Sequence, residues 1–220
     1  MRYQALATDY DGTLARDGRV DDETVDALER LKASGRGLVL VTGRQAGDLA
    51  EVFPRVDLCD RVVGENGATI YRPGTGEEIL LSDPADERLV AALREQGVEP
   101  LSVGRVVVAT DDPHLMVALQ TARDLGLDVA AHRNRGSVML LPVGVDKGTG
   151  LQAALDDIGL TPGDIAGAGD AENDLSFLRL CALGAAVANA LPELKQRVDV
   201  VTRLSYGAGL REIIDLVLRS

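Results

Sequence analysis

Tryptophan is absent and aromatic residues make up only 3% of the chain, so any core must be built from Val, Leu, Ile and Ala. Basic residues are also short: 23 Lys and Arg face 35 Asp and Glu, for a net charge of −12. Nucleic acids and anionic membranes are bound by basic surfaces, so this balance argues against both as partners. No stretch approaches the roughly 18 apolar residues of a membrane-spanning helix. Residues 1–9 contain no apolar run fit for a signal peptide. Cysteine is scarce too. Cys59 and Cys181 allow one disulfide at most, and nothing else marks an oxidising compartment. The expectation is two half-buried structural thiols in a cytoplasmic protein.

What is present is a chain of 220 residues, 45% of them hydrophobic, enough for one large domain or a core with a smaller insertion. For most of the length strands and helices alternate. Residues 5–8 form a short apolar run leading into Asp9. Residues 22–34 have helical periodicity, with Asp21 or Asp22 as cap, Val25, Leu28 and Leu31 on one face, and Gly35 at the end. Residues 38–41 are continuously aliphatic, as suits a strand buried on both faces of a parallel sheet. A helix at 46–53, stopped by Pro54, and a strand at 61–63 complete a βαβ rhythm.

Near residue 67 the rhythm changes. Residues 68–72 and 78–82 flank Pro73-Gly74-Thr75-Gly76, which suggests a hairpin. Helices are expected at 84–96 and 113–125, and strands at 105–109, 129–132 and 137–141. From Lys147 the first rhythm resumes, with helices at 147–158, 174–181 and 210–218 and strands at 164–168, 184–187 and 198–201. The fold class expected is α/β: a doubly wound, mainly parallel core formed by 1–82 and 143–220, interrupted by an α+β insertion at 83–142.

Chemistry concentrates at strand ends, where ligand sites of open parallel sheets lie. Asp9-Tyr10-Asp11-Gly12-Thr13-Leu14 follows the first strand. Two carboxylates so close repel one another unless a divalent cation relieves them, and Gly12 allows the sharp turn that would let them converge. Thr42-Gly43-Arg44 follows the second strand with a hydroxyl, a backbone amide and a cation suited to phosphate oxygens. Asp146-Lys147-Gly148 opens the helix where the core resumes. Gly167-Ala168-Gly169-Asp170-Ala171-Glu172-Asn173-Asp174 places further carboxylates after a strand; Glu172 takes the place of the third glycine of a dinucleotide fingerprint. Each segment alone is an ordinary turn. Four in order, each at a strand end, are not.

Together they make the chain resemble the haloacid dehalogenase superfamily of phosphohydrolases. Asp9 to Leu14 matches the first motif of that family, Thr42-Gly43-Arg44 the second, Lys147 the third and Gly169 to Asp174 the fourth. Glu65-Asn66-Gly67-Ala68 and Val187-Ala188-Asn189-Ala190 look like the subgroup that carries an α/β cap between the second and third motifs. The resemblance implies a magnesium-dependent phosphatase for a small phosphorylated metabolite, such as a sugar phosphate or phosphoglycolate. Asp9 would be the nucleophile and Asp11 the general acid and base. Magnesium would sit on the Asp9 carboxylate, the Asp11 carbonyl, Asp170 and Asp174. Thr42, Gly43, Lys147 and Asn173 would hold the phosphate. Arg44 and Arg133, with His132 and Arg135 beside the latter, are candidates to meet the rest of the substrate. Tyr10 departs from the aliphatic residue common at its place and is expected to affect packing alone. Dehalogenases of the superfamily lack the second aspartate, so Asp11 favours a phosphate ester. A sugar phosphomutase and a non-catalytic regulator of the same fold remain the alternatives.

Overall fold

The computed structural model describes residues 2–134 and 136–220; Arg135 lies outside the described residues. Two sheets organise the chain. The first half of the larger one comprises β1 (Ala5–Asp9), α1 (Asp22–Ala33), β2 (Gly37–Val41), α2 (Ala46–Val52), β3 (Arg61–Gly64), β4 (Thr69–Arg72) and β5 (Glu77–Leu80). Then come α3 (Glu87–Glu95), β6 (Ser102–Val103), β7 (Val108–Asp111), α4 (Leu115–Asp124), β8 (Val129–Asn134) and β9 (Ser137–Pro142). The chain returns to the large sheet with α5 (Lys147–Ile158), β10 (Ile165–Gly169), α6 (Leu175–Leu178), β11 (Leu183–Ala186), α7 (Pro192–Lys195), β12 (Val200–Val201) and α8 (Tyr206–Leu218).

The large sheet has the order β12-β11-β10-β1-β2-β3-β4-β5, parallel from β12 to β3, with an antiparallel β4–β5 hairpin at one edge. Both faces are covered. Leu6, Leu38, Leu40 and Val62 pack with α1 and α8 on one side, while Ala5, Ala7, Val39, Val41 and Val63 pack with α5 and α6 on the other. That is why the strands read as continuous aliphatic runs. Each leucine or valine so enclosed contributes about 1.5–3 kcal/mol. Cys59 belongs to the first of these clusters and Cys181 packs against the second, so the sheet separates the two free thiols. Burial pushes both thiols up to about 12, which leaves them unreactive.

The smaller sheet, β6-β7-β9-β8, is antiparallel and carries α3 and α4 on one face. Its other face meets the core through Val106, Val107, Met139 and Leu141, which cluster with Ala68.

Several elements differ from the sequence reading. The strand expected at 105–109 lies at 108–111, because residues 104–107 form a turn closed by a Gly104 N–H to Val107 carbonyl bond of 2.8 Å. The helix expected from 174 shrinks to α6, preceded by a tight turn at Glu172–Asp174. The last helix begins at Tyr206 rather than 210. Gly207 and Gly209 in its first turn let α8 approach closely: a Cβ at Gly209 would lie 2.6 Å from the Thr202 hydroxyl. The short α7 was not foreseen.

Candidate active site

Strand order reverses between β1 and β10, so the loops after these strands diverge and leave a crevice at the sheet's carboxyl edge. Asp9 is the last residue of β1 and is buried. Beyond it the chain folds back: Ala15 N–H donates to the Tyr10 carbonyl at 2.8 Å, and Gly12 takes φ +90°. Only glycine suits this place twice over, since a Cβ there would also lie 2.8 Å from the Asp170 carboxyl carbon. The Asn189 side chain locks the turn by donating to the Gly12 carbonyl at 2.7 Å and accepting from Tyr206 N–H at 2.8 Å.

Lys147 is the first residue of α5, whose start is fixed by Asp146 and Thr149 in a reciprocal cap. This helix comes unusually close to the core. A Cβ at Gly150 would lie 2.6 Å from Val63 Cγ1 and 2.9 Å from the Gly67 carbonyl. The approach brings Lys147 Nζ within 2.6 Å of both Asp9 Oδ1 and Asp174 Oδ1. Asp174 is held in turn by the Asp170 and Ala171 amides, at 2.8 and 3.0 Å from Oδ2. Thr13 donates to Asp170 Oδ1 at 3.4 Å.

Asp9, Asp170 and Asp174 are all buried and offer oxygens within 4.8 Å of one another. Lys147, itself buried, pairs with Asp9 and Asp174. Burial raises the Asp9 pKa well above the carboxylate range; the Asp174 charge adds to this, and Lys147 only partly offsets it. Burial alone would lower Lys147, but Asp174 and Asp9 outweigh it and hold the ammonium form. Asp9 Oδ2 is buried without a hydrogen-bond partner. An orphaned carboxylate oxygen and an all-oxygen donor set fit a hard divalent cation, and the three aspartates could hold one. The Asp11 carboxylate is not among them.

Asp11 stands at the rim, where Arg44 grips it bidentately at 2.6 and 2.8 Å. The Arg44 guanidinium also lies 5.5 Å from the centre of the Tyr10 ring. Tyr10 is fully buried against Phe53, and its ring face also meets the arginine. Thr42 is buried and its hydroxyl accepts from Arg44 N–H at 3.1 Å, while Gly43 between them is exposed. Asn173 donates to Asn66 Oδ1 at 3.0 Å, and its own Oδ1 is buried and unbonded.

The small sheet covers this rim. Met139 Sδ lies 2.5 Å from Asn66 Nδ2, and β8 packs against the Glu172–Asp174 turn. Side chains alternate across a strand, so register decides which residues face the core. His132 pairs with Met139 and Asn134 with Ser137, on the core side. Arg133 pairs with Val138, whose side chain is in the helix-covered cluster. Arg133 thus lies on the far face, half exposed and bonded to Asp112 at 2.8 Å. Of the predicted substrate-contacting pair, Arg44 is brought to the site and Arg133 is not. Thr13, Asn66, Met139 and Asn189 were missed as site residues. Thr13, Asn66 and Asn189 lay within the motif segments without a role, and a lone methionine carries no signal.

Residues 6–99 and 98–214 match the family model described as haloacid dehalogenase-like hydrolase. The chain belongs to the haloacid dehalogenase-like hydrolases. The resemblance read from the four motifs therefore holds, and the chain is a phosphatase of this superfamily. It is 33% identical to a phosphoglycolate phosphatase of Natronomonas pharaonis, over 96% of either chain. It is 28% identical to one of Methanothermobacter thermautotrophicus, over 96% of this chain and 97% of that one. Among solved structures, a haloacid dehalogenase-like hydrolase from Bacteroides thetaiotaomicron superposes with a TM-score of 0.80 at 20% identity, covering 98% of this chain and 99% of its own. A Thermoplasma acidophilum protein does so with a TM-score of 0.81 at 20% identity, covering 98% of each. At such identities the structural likeness speaks for the fold alone, and that fold is the α/β core expected. No helix among the described residues is long and apolar enough to cross a membrane.

Proposed function

We propose that this haloacid dehalogenase-like hydrolase is a magnesium-dependent phosphatase of small phosphorylated metabolites, sugar phosphates or phosphoglycolate, and that Asp9 is its nucleophile. The observation that carries the reading is the asymmetry of the Asp9 carboxylate. Lys147 holds Oδ1, while Oδ2 is buried and unbonded in a polar crevice. An oxygen left bare at such a cost is available for metal or phosphorus.

An Asp9 oxygen attacks phosphorus, and the ester P–O bond breaks as the P–O bond to Asp9 forms. Asp11 gives its proton to the leaving alcohol, then takes one from the water that attacks the aspartyl-phosphate. Inorganic phosphate leaves and Asp9 is restored. Lys147, the Thr42 hydroxyl, the Gly43 amide and Asn173 hold the phosphoryl oxygens as charge moves between them. Magnesium would be held by the Asp9 carboxylate, the Asp11 carbonyl, Asp170 and Asp174. When bound, it supplies positive charge to the attacked phosphoryl group.

Residues 83–142 serve as a cap that excludes water and limits substrate size. Arg44 meets a carboxylate or hydroxyl of the substrate, exchanging Asp11 for it as a partner. The relatives named phosphoglycolate phosphatase support a small acidic ester, and the acidic surface argues against larger polyanions. Release of phosphate from p-nitrophenyl phosphate, then from a panel of phosphorylated metabolites, tests the reading. Magnesium-dependent turnover of a small ester, abolished by EDTA, is the expected result. Turnover undiminished in excess EDTA would overturn the metal assignment. No turnover of any ester would overturn the activity.

A further inference from the structure

Glu65 is among the most deeply buried acids of the chain, at 1% exposure, and the reaction does not use it. It follows β3 in a left-handed conformation, φ +47°, which a non-glycine residue keeps only where its surroundings over-determine it. Its carboxylate reaches out of the core. Oε1 accepts Arg105 N–H at 2.7 Å, and Oε2 accepts the Val106 and Val107 N–H groups at 2.9 Å each. Three successive amides form a concave anion nest, and each bond to it is charge-assisted. Gly104 makes room, since a Cβ there would lie 2.6 Å from the Glu65 carboxyl carbon.

We infer that Glu65 is a positioning residue: its carboxylate latches the Arg105–Val107 turn of the cap to the core and thereby sets the height of the small sheet above the acidic centre.

The backbone around Glu65 links the latch to the site. Glu65 N–H donates to the Arg44 carbonyl and Asn66 N–H to the Thr42 carbonyl, both at 3.0 Å. The next side chain, Asn66, touches Asn173 on the core and Met139 on the cap. The two chain connections to the cap enter at 81–86 and 142–146. Two linkers alone permit rocking about the line that joins them, and a third attachment at 105–107 removes that freedom. The covered apolar patch of Ala68, Val106, Val107 and Met139 is non-directional, whereas the carboxylate–amide bonds fix one register.

The kinetic half of the test rests on the phosphatase reading; the exchange half does not. In Glu65→Gln, residue-resolved hydrogen exchange of the Arg105, Val106 and Val107 amides should quicken by about tenfold or more, with β1 and β10 unchanged. KM for phosphoglycolate should rise by about fivefold while kcat for p-nitrophenyl phosphate stays within about threefold. Should that variant loosen everywhere, Gly104→Ala decides, because it displaces the carboxylate from the cap side and leaves the core sequence intact. Unchanged exchange at 105–107 in that variant would overturn the latch. Faster exchange with unchanged KM would overturn its positioning role. A wild-type protein that turns over neither ester but shows the exchange response would leave the latch standing and the phosphatase reading refuted.

Discussion

The two sheets serve the site in different ways. In the large sheet the strands from β12 to β3 run parallel, so their carboxyl ends fall on one edge and the loops behind them converge. Asp9, Thr42, Asp170 and Asp174 reach a common crevice for that reason alone. In the small sheet neighbouring strands run in opposite directions, and no edge collects their ends. It offers a face instead, with Ala130, His132, Asn134, Met139 and Leu141 on the core side. An edge gathers charge at a point, which phosphoryl transfer requires. A face presents shape and a few spaced polar groups, which suits discrimination among substrates. Charge differs accordingly: one side holds three buried carboxylates and a buried lysine, and the opposing face is largely apolar.

The division can be broken first at its strongest point. Asp9→Asn keeps the shape of the side chain and removes the proposed nucleophile, so kcat for any ester should fall by about four orders of magnitude. The same change removes a carboxylate that burial and the neighbouring Asp174 charge disfavour, so Tm in EDTA should rise. Activity within tenfold of wild type, with deamidation excluded by mass spectrometry, would refute the assignment.

Metal comes next. Magnesium at a hundred times its Kd should stabilise the protein by about 2.7 kcal/mol, or roughly 5–10 °C in Tm for a chain of this size. Asp170→Ala should abolish both this shift and turnover. Cap substitutions should leave the shift intact, and a cap variant that lost it would erase the distinction between edge and face.

Within the cap, register separates neighbours. His132→Ala and Asn134→Ala should each lower kcat/KM for the physiological ester by about tenfold, as expected when a polar contact to substrate is lost. Arg133→Ala, one residue away on the opposite face, should stay within about twofold. Equal effects at 132 and 133 would show that β8 does not present the face described.

The smallest effect expected lies far from the site. Asp157 on α5 is bonded by Arg72 and Arg61 of the large sheet, which hold its carboxyl down at about 2. Its folded pKa is below the unfolded value of about 4, so its contribution is complete above about pH 4. That contribution is lost as pH falls through about 2. Asp157→Asn should lower Tm slightly at pH 7, and the difference should shrink as pH falls from about 4 toward 2, with kcat at pH 7 unchanged.

Much of the core was legible because its signals are local. A strand buried on both faces needs an unbroken aliphatic run, and the acids or Thr-Gly-Arg just beyond it mark a strand end. The weaker points have local causes too. The last helix was expected from 210 but begins at Tyr206, where Gly207 and Gly209 are the small residues that close packing on Thr24 and Thr202 demands. The run Val106-Val107-Val108 looked like one strand, yet the Glu65 carboxylate draws its first two amides into a turn.

Composition and motif order by themselves determined the class of fold, the superfamily and the acidic centre with its lysine, since each depends on which residues follow which strand. Tertiary structure alone decided the rest. That Arg133 faces away while His132 and Asn134 face the core follows from how β8 pairs with β9. Alternation along a strand is inherent in the chain, but its phase is set by a partner, and a slip of one residue would exchange the two faces. That Asp11 is held by Arg44, and that Glu65 finds its three amides 40 and more residues later in the chain, likewise depend on approaches between distant segments. No local pattern encodes those approaches, because they arise from closing the whole core.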